Sequence, residues 1–188
     1  MAQVGLEVDY HQLDVNDDNS VSEFASFIKQ KYSRLDILIN NAGVNFSKQL
    51  EEGSILTAKI DTALSTFSVN TLGVLRICQA LIPIMQERNY GRIVNVSTEM
   101  SSLSQLAIER YPLSPSYRLS KLGLNGLTCL LAKELKNTNI LVNSYSPGWI
   151  KTDMGGADAP FTTEEGAQTA IYPFLVTLQE VKYKKGCV

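Results

Sequence analysis

Leu35-Asp36-Ile37-Leu38-Ile39-Asn40-Asn41-Ala42-Gly43 decides the fold of this chain. Leu35 to Ile39 reads as a buried strand, and the small polar residues after it end the strand in a tight loop. Upstream, Ser20 with Glu23 three residues on forms a capping-box pattern that opens a helix running to about Tyr32. Val8 to Leu13, before it, is short and mixed. Downstream of a polar loop, Ile60 to about Arg88 is mostly helical, with Leu72, Leu75, Ile82 and Met85 on one side and a bend near Pro83. Arg92 to Val96 is a second buried strand after Gly91, Ser116 to about Lys136 a long helix carrying Leu122, Leu130 and Leu131, and Ile140 to Tyr145 a third strand. Strands separated by helices of about 15 to 20 residues predict right-handed crossovers and an α/β fold, a doubly wound parallel sheet with helices on both faces. No internal repeat or long linker divides residues 1–188, so one domain is expected.

Composition excludes several classes of function. The chain has 188 residues, 44% of them hydrophobic, and a net charge of −2, enough apolar mass for one real core. Lys182, Lys184 and Lys185 form the one dense basic cluster, which reads as a solvated tail, and no nucleic-acid footprint is expected. Cys78, Cys129 and Cys187 are odd in number and far apart, which argues against a disulfide framework or zinc cluster and for a reducing, cytoplasmic setting. The apolar stretch from Leu72 to Met85 is broken by Arg76, Gln79 and Pro83, so no membrane span is expected. No metal site is expected either.

In parallel α/β sheets, ligands bind beyond the carboxyl ends of the strands. Asn41-Ala42-Gly43 follows the first strand, Ser97 the second, and Pro147-Gly148 with Thr152 the third. Tyr117 and Lys121 open the helix between the last two. Four residues apart on a helix, they share one face. A cation beside a phenol lowers its pKa, which suits a group that must trade protons near neutrality. Chance alone gives roughly 0.5 such pairs in a chain of this composition, so the weight lies with the neighbouring strand ends.

Together these residues resemble the short-chain dehydrogenase/reductase family. The resemblance runs from about Leu6 to Phe174 and rests on Asn40-Asn41-Ala42-Gly43, Val69-Asn70, Asn95-Val96-Ser97, Tyr117 with Lys121, and Pro147-Gly148-Trp149-Ile150-Lys151-Thr152. Pro147 to Met154 followed by Glu164-Glu165-Gly166-Ala167 looks most like the carbonyl reductase branch. The resemblance implies a Rossmann-like fold and an oxidoreductase that uses NADP, with NAD not excluded, on a small-molecule carbonyl substrate, as a monomer or homodimer. Tyr117 would be the general acid, Lys121 would depress its pKa and hold the nicotinamide ribose, Ser97 would polarise the carbonyl, and Asn70 would anchor the water of a proton relay. Asp14 and Val15 would flank the adenine, Asn41, Ala42 and Gly43 the adenosine ribose, and Ile150 and Thr152, on the turn begun by Pro147 and Gly148, the carboxamide. Ser101 to Pro115, with Leu103, Leu106, Tyr111 and Leu113, would line an apolar pocket.

The chain departs from the family at both ends. Members open with a strand and a Thr-Gly-x-x-x-Gly-x-Gly turn that supplies backbone amides to the pyrophosphate; that pattern is nowhere in these 188 residues. The expectation is therefore an N-terminally truncated form lacking the first βαβ unit, at least about 30 residues. This would leave the Val8 to Leu13 strand orphaned and Leu35 to Ile39 with a bare edge. The stop at Gly186-Cys187-Val188 implies incomplete pocket closure. Two functions follow: an NADPH-dependent carbonyl reductase, or an inactive remnant acting through dimerisation or protein contacts.

Overall fold

The computed structural model describes residues 7–50, 52–106 and 113–170. Tyr111, Cys187, the lysine cluster and both chain ends lie outside them. Three parallel strands, β1 (Ile37–Asn40), β2 (Gly91–Val96) and β3 (Ile140–Tyr145), form a sheet in that order. Leu38 pairs with Ile93 and Ile93 with Val142, while Asn40 lies opposite Asn95 and Asn95 opposite Ser144. The carboxyl ends are thus almost flush, and the loops after them meet at one edge. The predicted parallel α/β sheet flanked by helices is the observed architecture.

One face of the sheet is covered by helices. Leu38, Ile93, Ile140 and Val142 pack under α4 (Val74–Gln86) and α6 (Pro115–Glu134) through Val74, Cys78, Met85, Leu124, Leu127 and Leu131. Of the leucines this helix carries, Leu130 is 66% exposed, and Leu124 and Thr128 hold the inner face. A second cluster joins α1 (Asp18–Tyr32) to α4 through Val21, Phe24, Ile77, Leu81 and Ile84. The N-cap of α1 is Asp17, whose carboxylate accepts from the Asn19 and Ser20 amides at 2.7 and 3.1 Å. The capping box expected at Ser20 does not form. That residue sits inside the first turn, and its hydroxyl accepts from the Asp14 amide at 2.9 Å.

Two further differences concern regular structure. Residues 7–14 hold no strand: Val8 and Tyr10 are exposed, and a strand without a neighbour to take its backbone groups gains nothing over solvated coil. Among the described residues β1 pairs with β2 alone, so its outer edge is bare as expected, and Ile37 and Ile39, on the sheet face opposite Leu38, are exposed by 49% and 45%. The long helical run from Ile60 is continuous through Pro83 to Gln86, but its middle changes pitch. α3 (Ile60–Phe67) passes into a π-helical segment, Ser68–Gly73, before α4 begins. This run is long and apolar enough to cross a membrane by composition, and half of its most apolar window is buried inside the fold.

Two short helices complete the frame, α2 (Phe46–Gln49) after β1 and α5 (Leu103–Leu106) after β2, and α7 (Thr163–Thr169) follows the loop after β3. The start of α7 is a true capping box: Thr162 accepts from the Glu165 amide at 3.2 Å, and Glu165 accepts from the Thr162 amide at 2.8 Å.

Candidate active site

The floor of the site is a chain of buried amides. Asn40 Nδ2 donates to Asn95 Oδ1 at 2.8 Å, and Asn95 Nδ2 donates to Thr128 Oγ1 at 2.8 Å, which ties β1, β2 and α6 together under the strand ends. The last rung above it runs from the Ser97 amide to the Tyr145 carbonyl at 2.8 Å. Ser97 is thereby fixed at the carboxyl edge. Its hydroxyl donates to Asn125 Oδ1 at 2.7 Å, and Asn125 Nδ2 donates to Ser101 Oγ at 3.0 Å. A serine hydroxyl can rotate between acceptors, so this one exchanges Asn125 for another oxygen without moving the backbone.

Tyr117 and Lys121 occupy the first two turns of α6, where Pro115 is pre-organised for the helix start. Lys121 is almost fully buried, its ammonium 5.9 Å from the centre of the Tyr117 ring and donating to the Val96 carbonyl at 2.7 Å. Burial pushes the lysine down to about 8 and the phenol up to about 12. The sequence reading had the opposite sign for Tyr117. Desolvation favours the neutral form of both groups, and the ammonium is drawn to a carbonyl rather than held against the phenolic oxygen. A buried ammonium has three donors, and among the described residues Val96 is its hydrogen-bond acceptor. Two further N–H groups of the ammonium are left over among the described residues.

The π-helical segment brings Asn70 into this group. Asn70 is fully buried and clasps Val44 in both directions, accepting from its amide at 2.8 Å and donating to its carbonyl at 2.9 Å. The same amide nitrogen lies 2.9 Å from Ser120 Oγ, and Thr71 Oγ1 donates to the Ser120 carbonyl at 2.7 Å. In an i to i+5 ladder, side chains are displaced from their α-helical stations. Here the displacement turns two consecutive residues toward α6. Asn70 does satisfy backbone groups, but those of the loop after β1 rather than its own helix. Gly43 completes the arrangement: a Cβ there would stand 3.3 Å from Asn70 Oδ1 and 3.4 Å from Lys121 Nζ. The bare backbone leaves a shallow cradle.

The third wall is the loop after β3. Gly148 has φ +84°, a conformation that glycine adopts at no steric cost, and the chain returns so that the Lys151 amide donates to the Phe161 carbonyl at 2.8 Å. Thr152 Oγ1 accepts from the Gly155 amide at 3.0 Å, and Trp149 Nε1 donates to the Gly155 carbonyl at 2.9 Å. Ile150 points its side chain at Gly166 of α7, where a Cβ would be 2.6 Å from Ile150 Cδ1. On the far side, Asp14 accepts from the Asn16 amide at 2.8 Å, and Val15 packs against Gly73. Asp14 and Val15 therefore sit beside the end of the π-helical segment.

Sequence reasoning missed two participants. Ser120 lies between Tyr117 and Lys121 and links Asn70 to the Tyr117 carbonyl, to which it donates at 2.7 Å. Asn125 holds Ser97. Neither carries a spacing signal, since each acts through a contact made across elements.

Comparison with known proteins bears on this geometry. The family model described as short chain dehydrogenase matches residues 1–161. The chain belongs to the short-chain dehydrogenase family. It is accordingly an NAD(P)-dependent oxidoreductase by family. Among curated members, carbonyl reductase [NADPH] 3 of Mus musculus is 30% identical over 208 residues, 89% of this chain and 72% of the mouse protein. (+)-Neomenthol dehydrogenase of Arabidopsis thaliana is also 30% identical, over 95% of this chain and 76% of the plant protein. Among solved members, NADPH-bound carbonyl reductase from chicken fatty liver superposes with a TM-score of 0.79 at 27% identity, covering 89% of this chain and 69% of that one. The resemblance to carbonyl reductases therefore extends across the described fold.

Proposed function

We propose that this protein reduces a small-molecule carbonyl to an alcohol, with NADPH as hydride source and Tyr117 as proton donor. The observation that carries the reading is the convergence of Lys121 Nζ and Asn70 Oδ1 on the backbone of Gly43. The buried ammonium there has two spare donors facing a cradle that any side chain would fill. That is the chemistry of a ribose-binding corner. Lys121 and the turn from Pro147 to Thr152 would hold the ribose and nicotinamide end of the cofactor, and Gly43, expected from the resemblance at the adenosine ribose, would stand at the nicotinamide ribose beside Lys121 instead.

When bound, the nicotinamide supplies the hydride that adds to the carbonyl carbon. The residues of this chain manage the oxygen and its proton. Ser97, released from Asn125, donates to the carbonyl oxygen where negative charge develops. Tyr117 keeps its proton at neutral pH because burial pushes it up to about 12, and delivers it to the same oxygen. Lys121 and the Asn70-Ser120 link then form the route by which that proton is replaced. The exposed Leu103 and Leu113 beside this edge favour an apolar substrate flank. NADPH is preferred because carbonyl reductases named for it recur among the relatives; NAD stays open, since NAD+-bound xylitol dehydrogenase is also similar, at 26% identity and a TM-score of 0.66. The free thiols of Cys78 and Cys129 suit a cytoplasmic setting.

A rival reading, a protein acting through contacts rather than catalysis, draws on the bare edge of β1. Titration with NADPH followed by nicotinamide fluorescence decides between them. Saturable binding at micromolar cofactor, with turnover of an apolar aldehyde or ketone, is the expected result. Absence of both overturns the reductase.

A further inference from the structure

The start of α6 has an unusual cap. Ser114, immediately before the helix, is in the left-handed region at φ 38°, and its side chain caps nothing. The helix is closed instead from another element. Glu52 Oε2 accepts from Ser116 Oγ at 2.7 Å, from the Ser116 amide at 3.3 Å and from Ser47 Oγ at 2.6 Å, while Glu52 Oε1 accepts from the Lys59 amide at 3.1 Å. The Ser116 amide also lies 3.1 Å from Ser47 Oγ. Ser47 is 1% and Ser116 1% exposed. Four donors thus converge on one partly buried carboxylate at the positive end of a helix of 20 residues. Burial works to raise the Glu52 pKa, but the hydrogen bonds from Ser47 and Ser116 outweigh it and hold the carboxyl below its ordinary value.

The neighbourhood gives this clip its meaning. Ser116 directly precedes Tyr117. Ser47 belongs to α2, which continues the loop that Asn70 clasps and that contains Gly43. One carboxylate therefore joins the loop at the proposed ribose corner to the residue beside the proton donor. No intrahelical bond fixes an amide in the first turn of a helix, so the phenol's position along the helix axis depends on what holds that turn from outside.

We propose that Glu52 is a positioning residue for Tyr117, setting the distance between the phenolic oxygen and the cofactor loop. The inference rests on the reductase reading of the site. It acts through Ser116 and Ser47, and touches no reacting atom.

The test compares Glu52→Ala and Glu52→Gln in the full chain. Glutamine can place its carbonyl where Oε2 stands and keep the three bonds to Ser47 and Ser116, losing only the one from Lys59. Alanine loses all four. The expected result is a fall in kcat of ten- to a hundredfold for Glu52→Ala, the scale of a displaced catalytic group, with the KM for NADPH within twofold of the wild type and activity within threefold of it in Glu52→Gln. Equal kcat in Glu52→Ala, or a rise in KM at unchanged kcat, overturns the proposal. If Glu52→Ala does not fold, Ser116→Ala removes one donor from the clip and is held to the same split at a smaller size.

Amide exchange at Ser116 separates this proposal from the reductase reading. Should the wild type prove inactive, that reading fails by itself. Faster exchange at Ser116 in Glu52→Ala than in Glu52→Gln still supports the clip, and equal exchange in both and in the wild type overturns it.

Discussion

Asn70 and Val44 exchange two hydrogen bonds, amide to side-chain carbonyl at 2.8 Å and side-chain amide to carbonyl at 2.9 Å, as two residues of adjacent strands do. A π-helical side chain thereby supplies the backbone pairing that the loop after β1 gets from no strand. Replacing Asn70 with Ala removes the partners of both backbone groups of the half-buried Val44. The expected loss is about 2–4 kcal/mol, read as a shift in the urea midpoint. Asn70→Asp is expected to do worse, because its second oxygen would face the Val44 carbonyl. A loss under about 1 kcal/mol for Asn70→Ala would show that the clasp is dispensable.

Tyr117→Phe keeps the ring and removes the proton. The reductase reading expects kcat to fall at least about a hundredfold, with NADPH affinity changed by less than a few-fold, since Lys121 and Gly43 remain. A fall below tenfold would remove Tyr117 from the role of acid.

The buried pair gives pH effects of opposite sign. Lys121 is pushed down from 10.5 to about 8, so between these values the unfolded chain binds the extra proton and stability rises with pH. Tyr117 is pushed up from 10.0 to about 12, so over that range the folded chain keeps a proton the unfolded one has lost, and stability falls. On the reductase reading, loss of the Lys121 proton would starve the relay. Reductive kcat/KM is expected to be level below about 8 and to decline above it, and Lys121→Arg, whose guanidinium stays charged, should abolish that limb. A level profile to pH 10 in the wild type would count against Lys121 in the relay.

Glycines separate two kinds of constraint. A Cβ at Gly155 would lie 1.8 Å from the Ile150 carbonyl oxygen, whereas one at Gly126 in α6 meets nothing within 4 Å. Gly126→Ala should stabilise the protein by about 0.5–1 kcal/mol through helix propensity. Gly155→Ala should open the loop to proteolysis between residues 147 and 161 and weaken cofactor binding. Matching melting temperatures for the two variants would contradict this.

The strands were legible because burial on both sides demands runs such as Ile93-Val94 and Ile140-Leu141-Val142, which few other structures tolerate. The π-helical segment was not, since Ser68 to Gly73 carries no period that differs from the helices around it. The cap of α1 fell to Asp17 rather than Ser20 because two residues with capping side chains competed and only the contact to Ser20 Oγ decided. Spacing put Tyr117 and Lys121 on one face correctly, yet gave the wrong direction for the phenol. Spacing reports proximity, while desolvation depends on the elements packed around the pair. Ser120, Asn125 and Glu52 were invisible for the same reason: each partner lies 28 or more residues away or across an element.

The loop after β3 arrives already closed. Its turn is held by Thr152, Trp149 and the Lys151-Phe161 rung, bonds made wholly within the loop, so the ordering of about a dozen residues belongs to folding and not to binding. Cofactor capture at this wall should therefore show a small entropy penalty and little change in loop dynamics, the thermodynamics of a socket rather than of a flap.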